Sequence, residues 1–224
     1  MSPRGLPAIT TGEGMMKEVD LTVALLVGGD SKRFTTEKAL ALFRGRPLIH
    51  HMLSIAKQLS PRVLVVASND DQIENLQKYI GDVPTAVDPQ GGPRCALNGA
   101  VTAFEYANTR YTLLLPVDTP LASVPLLKTL YELAGHHGAV VPAWPSGYVE
   151  PLHAVYLTEH AYARGLDVLA DGGCKMQELL NRLSSVLYVS TLVLKQFDGE
   201  LKTFANINTE RDLRKLERTA ARGS

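Results

Sequence analysis

Cysteine is nearly absent: Cys95 and Cys174 are the whole supply in 224 residues. Neither belongs to a CxxC pair, and a metal site would need more ligands nearby. The two therefore read as free thiols in a reducing compartment rather than as a disulfide framework. Net charge is absent too, with 23 Lys and Arg against 23 Asp and Glu. That balance excludes a protein whose main work is coating nucleic acid or an anionic membrane, while leaving room for local basic clusters that bind phosphate. No apolar run approaches the ~20 residues that span a bilayer. The first residues, MSPRGLPAITTGEGMMKEVD, are mixed and punctuated by Gly and Pro, without the unbroken apolar core of a signal peptide. Residues 1–18 read as a flexible leader, 19–224 as a single domain, and the protein as cytoplasmic, with no nucleic-acid or membrane partner. His50-His51 and His136-His137 share no ligand spacing that would make a zinc site.

What is present is an apolar fraction of 45%, enough in a chain of this length to bury a sizeable core without a staple. Leu21 to Val27 (LTVALLV) is a continuous apolar run too short for a helix and stopped by Gly28-Gly29, the pattern of a strand covered on both faces. Pro47 to Gln58 carries Leu48, Met52, Leu53 and Ile55 on a helical period. Val63 to Ala67 repeats the buried-strand pattern, and the SNDD that follows offers capping side chains for a helix over Gln72 to Tyr79. The alternation continues with a strand at Thr85 to Val87, a helix at Ala96 to Tyr106 and a strong strand at Tyr111 to Val117. Pro125 to Ala134 is a helix with proline in its first turn, where no donor is lost. Gly138 to Pro142 is a strand, and Leu152 to Leu157 a strand leading into a helix over His160 to Leu169. Val186 to Ser190 is extended, and Glu210 to Arg218 an amphipathic helix.

Buried strands alternating with helices predict an α/β fold: a three-layer, Rossmann-like, mostly parallel sheet with helices on both faces. Ligands bind such sheets outside the carboxyl ends of the strands. The loops at 28–38, 68–71, 88–95 and 117–121 are therefore where the chemistry should lie. Gly28 and Gly29 end the first strand without Cβ atoms, next to Leu26 and Val27, so a nucleotide can approach that backbone closely. Ser31, Arg33 and Lys38 add a hydroxyl and cations suited to a triphosphate. The spacing is neither Walker A nor GxGxxG.

LVGGDSKRFTTEKAL resembles the nucleotide-binding signature of the GT-A-like nucleotidyltransferases, roughly L-x-G-G-x-S-x-R-M-G-x-D-K. Gly28, Gly29, Ser31, Arg33 and Lys38 fall on matching positions. Within that group the chain is similar to the molybdenum cofactor guanylyltransferases, through LLPVDTPL (114–121), EPLHAVY (150–156) and NINTERDL (206–213). Phe34-Thr35 stand where that family has Met-Gly, and Glu37 where it has Asp. Losing the glycine removes easy access to positive φ in the loop, while Glu37 keeps the charge on a longer arm.

The resemblance implies transfer of GMP from GTP to molybdenum-molybdopterin, with Mg2+ as cofactor and cofactor-assembly proteins or molybdoenzymes as hand-off partners. It implies that Arg33, Lys38 and Asp118 carry the reaction, Asp118 as the metal ligand, and that Asp88 contacts the nucleotide. On its residues alone, Asp118 reads either as a carboxylate for Mg2+ at a strand end or as a turn and cap residue. Asp88, in DPQGGPRCALNGA, reads either as a nucleotide contact or as a turn opener. Arg94 stands where it can meet a phosphate, and Asn98 is either a surface residue or a ligand contact. Asn69 either reads a base through its amide or caps the next helix. His153 is either a cleft residue facing the second substrate or a buried structural histidine. Asn206 and Asn208 precede a helix start at Thr209, with Asp212 completing a variant capping box. Two alternatives stay open: a transferase using CTP or another phosphate acceptor, and a non-catalytic nucleotide- or cofactor-binding partner of molybdoenzymes.

Overall fold

The computed structural model describes residues 19–28, 37–209 and 211–214. The expected leader at 1–18, most of the glycine-loop residues and most of the closing helix over Glu210 to Arg218 lie outside them; of that helix only 211–214 is described, and it is helical. The strands are β1 (Leu21–Leu26), β2 (Leu42–Phe43), β3 (Arg46–Pro47), β4 (Arg62–Ala67), β5 (Thr85–Val87), β6 (Tyr111–Pro116), β7 (Ala139–Ala143), β8 (Val155–Leu157) and β9 (Val186–Ser190). The helices are α1 (Leu48–Leu59), α2 (Asp70–Ile80), α3 (Ala96–Tyr106), α4 (Val124–Glu132), α5 (Thr158–Ala170), α6 (Met176–Arg182) and α7 (Thr191–Leu194). Among the described residues no helix is long and apolar enough to cross a membrane.

Seven strands form one sheet in the order β5-β4-β1-β6-β8-β7-β9. β5, β4, β1 and β6 run parallel, as the strand–helix alternation predicts, and β9 runs parallel to β7. β8 is the exception, antiparallel to both its neighbours. Its start therefore lies at the carboxyl end of β6, where Leu114 N donates to Ala154 O at 3.1 Å. That reversal brings residues 150–154 to the same sheet edge as Asp118.

The period-2 alternation of each strand sorts its side chains between two cores. Leu21, Val23 and Leu25 of β1 face the side covered by α1, α2 and α4, with Met52, Leu76 and Leu127. Ala24 and Leu26 face α3, α5 and α6, with Leu97, Ala161 and Leu179. Each fully buried leucine stabilises the fold by about 1.5–3 kcal/mol, so the central strands anchor the site loops at their ends. Ser123 caps α4 through Leu126 N, with Pro125 in the first turn.

Four elements escape the sequence pattern. α6 spans only seven residues, started by Glu178, whose carboxylate accepts from Cys174 N at 2.8 Å and Lys175 N at 2.9 Å. β2 and β3 form a two-residue hairpin, and α7 is a single turn. The expected Leu152 to Leu157 strand shortens to β8, because residues 150–153 close a turn in which His153 N donates to Glu150 O at 3.1 Å.

The free-thiol expectation is overturned: Cys95 and Cys174 form a disulfide, with Cα atoms 5.9 Å apart. Sequence spacing could not show this, because the pair is joined by tertiary packing. Cys95 caps the start of α3, Cys174 precedes α6, and both helices cover the same face of the sheet.

Candidate active site

β1 ends where β4 comes close. Val27 N donates to Val66 O at 2.9 Å, and a Cβ on Gly28 would sit 2.3 Å from Ser68 Oγ and 3.2 Å from Ser68 N. Only glycine fits without displacement. On the other side Val117 N donates to Leu26 O at 3.1 Å, which aligns the end of β1 with the start of the Asp118 turn.

Asp118 follows β6 and is 8% exposed. Its Oδ2 pairs with Lys38 Nζ, which also donates to Asn208 Oδ1 at 2.9 Å. Its backbone oxygen accepts from Ile207 N at 2.9 Å. Three segments distant in sequence thus converge on one carboxylate. Its other oxygen, Oδ1, is buried and has no hydrogen-bond partner among the described residues. A buried acceptor without a donor costs free energy, and a hard cation is the partner such an oxygen suits. No group of three His, Cys, Asp or Glu among the described residues could hold a metal alone. Next to Lys38, Glu37 buries Oε1 without a partner among the described residues, and burial raises its pKa.

Asp88 ends β5, its N–H donating to Ala67 O at 2.9 Å. Thr102 Oγ1 donates to its Oδ1 at 2.8 Å, and the Asn98 side chain also bonds it. Burial raises the Asp88 pKa, and those two bonds partly offset it. Asn98 is 5% exposed, so it is no surface residue: it lines the inside of α3 and holds Asp88. Gly91 turns the following loop with φ +79°, and Gly92 comes close to Pro89 O and Asn98.

The structure brings Lys38, Asp118 and Asn208 into contact and sets Leu26, Val27 and Gly28 beside them. Asp88 stands apart. Three strand spacings separate β5 from β6, about 14 Å across the sheet. Asn69 caps α2, accepting from Gln72 N at 2.9 Å, which leaves its amide nitrogen as the group it can offer a base. Gly29, Ser31, Arg33 and the Phe34-Thr35 departure lie outside the described residues. Thr209 and Asp212 form the expected reciprocal cap, Asp212 N donating to Thr209 Oγ1 at 3.2 Å. Asn208 as a partner of Lys38 escaped the sequence reading, which gave it only a loop position. Its signal was a polar side chain directly before a capped turn.

His153 is buried, 2% exposed, and lies behind the Asp118 turn with Nε2 3.4 Å from Thr119 Oγ1. Its ring meets Phe204 edge-on at 5.3 Å. Of the two expectations for it, the buried structural position is the one observed.

Residues 23–186 match the family described as MobA-like NTP transferase domain. A protein of Methanosarcina mazei named as a probable molybdenum cofactor guanylyltransferase is 27% identical over 206 residues, 86% of this chain and 88% of that one. Its namesake from Methanothermobacter thermautotrophicus is 31% identical over 208 residues, 89% of this chain and 100% of that one. The solved molybdopterin-guanine dinucleotide biosynthesis protein A of Archaeoglobus fulgidus superposes with a TM-score of 0.78 at 27% identity, covering 90% of this chain and 99% of its own. With a glycine-ended first strand, a lysine-paired aspartate after β6 and these relatives, the chain belongs to the MobA-like NTP transferase family and is a nucleotidyltransferase.

Proposed function

We propose that this chain transfers GMP from GTP to the phosphate of molybdenum-molybdopterin, releasing pyrophosphate and forming molybdopterin guanine dinucleotide. The observation that carries the reading is the Lys38–Asp118–Asn208 cluster at the carboxyl end of β6, beside the Gly28 end of β1. The relatives' names supply the acceptor and the base.

The chemistry asks little of protein nucleophiles. An oxygen of the acceptor phosphate attacks the α-phosphorus of GTP, the α–β bridging bond breaks, and the electron pair leaves with pyrophosphate. Alignment and charge neutralisation carry the rate. Asp118 is the residue that would hold Mg2+, its unpaired Oδ1 being the oxygen open to it. When bound, that ion neutralises phosphate charge and fixes the triphosphate's orientation. Lys38 and Arg33 stabilise the triphosphate and the leaving pyrophosphate. Gly28 and Gly29 admit the nucleotide, with Leu26, Val27 and Ser31 lining its path and Asn69 on the base side. Asp88 holds the nucleotide rather than the metal, since β4 and β1 lie between its strand end and that of Asp118. A GTP-dependent reaction belongs in the cytoplasm. There the Cys95–Cys174 bond meets a reducing thiol pool, and the product passes to cofactor-assembly proteins or molybdoenzymes.

The test supplies each nucleoside triphosphate with Mg2+ and molybdopterin-loaded acceptor, and measures pyrophosphate and dinucleotide. Turnover with GTP alone is expected. Turnover with CTP overturns the base assignment, and nucleotide binding without turnover turns the chain into a binding partner. Asp118→Ala abolishes turnover in a folded protein. Near-normal activity removes Asp118 from the metal role.

A further inference from the structure

Behind the Asp118 turn, four side chains run in a line that nucleotidyl transfer as described leaves without a role. Trp144 Nε1–H donates to Glu150 Oε1 at 2.8 Å. The second oxygen, Glu150 Oε2, lies 3.8 Å from His153 Nδ1. His153 Nε2 is 3.4 Å from Thr119 Oγ1, and the Thr119 hydroxyl donates to Pro116 O at 3.1 Å. Thr119 is the residue after Asp118. Phe204 sits edge-on to both His153 and Trp144, at 5.3 and 5.8 Å, so neither ring can turn without opening that packing.

Donor accounting places the protons. Thr119 has one hydroxyl proton, and with it on Pro116 O, the nearer acceptor at 3.1 Å, the contact with His153 takes Nε2–H as donor. In a neutral imidazole Nδ1 is then a lone pair, and it is a buried atom with no hydrogen-bond partner among the described residues. It faces a carboxyl oxygen. At 3.8 Å that oxygen is beyond hydrogen-bond reach, so nothing on the Glu150 side requires a proton on Nδ1. The imidazolium form would put a charge on a ring that is almost wholly enclosed, and burial holds the His153 pKa down to about 3. Burial also raises the Glu150 carboxyl, against the opposing effect of the Trp144 bond, with Tyr148 the other titratable group beside it.

We infer that His153 is a positioning residue: held edge-on by Phe204, as the Nε2–H tautomer it donates to Thr119 and fixes the turn presenting Asp118. The inference rests on the nucleotidyl-transfer reading of the Asp118 site. Ile207 N pins Asp118 O from one side, and His153 pins Thr119 from the other. Without the Nε2 donor the turn loosens, and the unpaired Asp118 Oδ1 loses its aim. Misplacement of that kind costs turnover more than ground-state nucleotide binding.

Long-range 15N–1H NMR of the full chain reads the proton directly. His153 should appear as the neutral Nε2–H tautomer and stay so from about pH 8 to about pH 5. An Nδ1–H tautomer or an imidazolium in that range overturns the inference. In kinetics, His153→Gln carries an amide nitrogen near the Nε2 position, whereas His153→Asn falls short of Thr119. H153Q should keep kcat within about threefold and H153N should lose roughly 10- to 100-fold, with the nucleotide KM within about twofold in both. Thr119→Val should lose as much as H153N, and the double variant should be no worse than the poorer single. Glu150→Gln replaces the carboxyl 3.8 Å from Nδ1 without touching the Nε2 contact, and should keep kcat and the melting temperature. Equal loss in H153Q and H153N, no loss in either, or additive losses overturn the positioning role. If H153N fails to fold, the NMR result decides alone. Absence of GTP turnover in the unmodified protein would sink the proposed function while leaving the tautomer measurement in force.

Discussion

Opening the Cys95–Cys174 bond should cost this protein a measurable share of its stability. The perturbation is either a strong reductant or the double substitution C95S/C174S. The bond closes a loop with a sequence separation of 79 residues. Treated as loop-closure entropy removed from the unfolded chain, that length corresponds to about 4.5 kcal/mol at 25 °C. Residual structure in the unfolded chain lowers the realised effect, so a range of roughly 2–4.5 kcal/mol is expected. At about 2–4 °C per kcal/mol for a chain of this size, the melting temperature should fall by roughly 5–15 °C. The loss should show in calorimetry of the oxidised protein, the reduced protein and the double serine variant, the last two coinciding. Because Cys95 caps α3 and the same helix carries Asn98 and Thr102 onto Asp88, nucleotide affinity should weaken in parallel. A shift under about 2 °C, or two titratable thiols in the unreduced, denatured protein, would refute the reasoning.

Acid stability tests the burial of His153. Its pKa falls from 6.5 to about 3 on folding, so the unfolded chain takes up a proton below pH 6.5 that the folded chain refuses. Stability is therefore full above pH 6.5 and declines as the pH drops toward 3, by up to about 1.4 kcal/mol per unit. Urea midpoints from pH 7 to pH 5 should show that slope, and H153Q should lack it; equal slopes in the two proteins would argue against the assignment. Gly28→Ala forces a Cβ to within 2.3 Å of Ser68 Oγ, and should cost about 1–3 kcal/mol of stability, read as a lower melting temperature. An unchanged value would mean the strand ends are looser than described. Thr102→Val removes a donor from a half-buried carboxylate and should weaken nucleotide binding by about 1–3 kcal/mol in titration calorimetry. Affinity equal to that of the unmodified protein would take Asp88 out of the nucleotide site.

The strand ends were legible in the sequence because their causes are local. LTVALLV stops at Gly28, and the reason is a close approach that no Cβ survives. Asn69 starts α2 by a hydrogen bond that spans three residues, so SNDD next to an apolar run was enough to find that helix. What stayed hidden depends on strand order and on helix packing across the sheet. The Cys95–Cys174 bond needs α3 and the start of α6 on one face, and nothing within ten residues of either cysteine records that. Asn98 looked like surface because helical periodicity around it is weak in an α3 buried on most sides. Lys38 meeting Asn208 joins residues 170 apart.

The same limit decides how the two aspartates divide their labour. Asp88 and Asp118 share a local context, each an aspartate at the end of an apolar strand and followed by a proline-containing turn. The sheet order puts two strands between β5 and β6, and the proposed division, nucleotide at Asp88 and cation at Asp118, rests on that separation. An acid held by Thr102 and Asn98 already has its hydrogen-bond donors. An acid with one oxygen on Lys38 and the other unpaired still has a place for a charge. The partners of each carboxylate therefore carry the functional distinction that their flanking sequences do not.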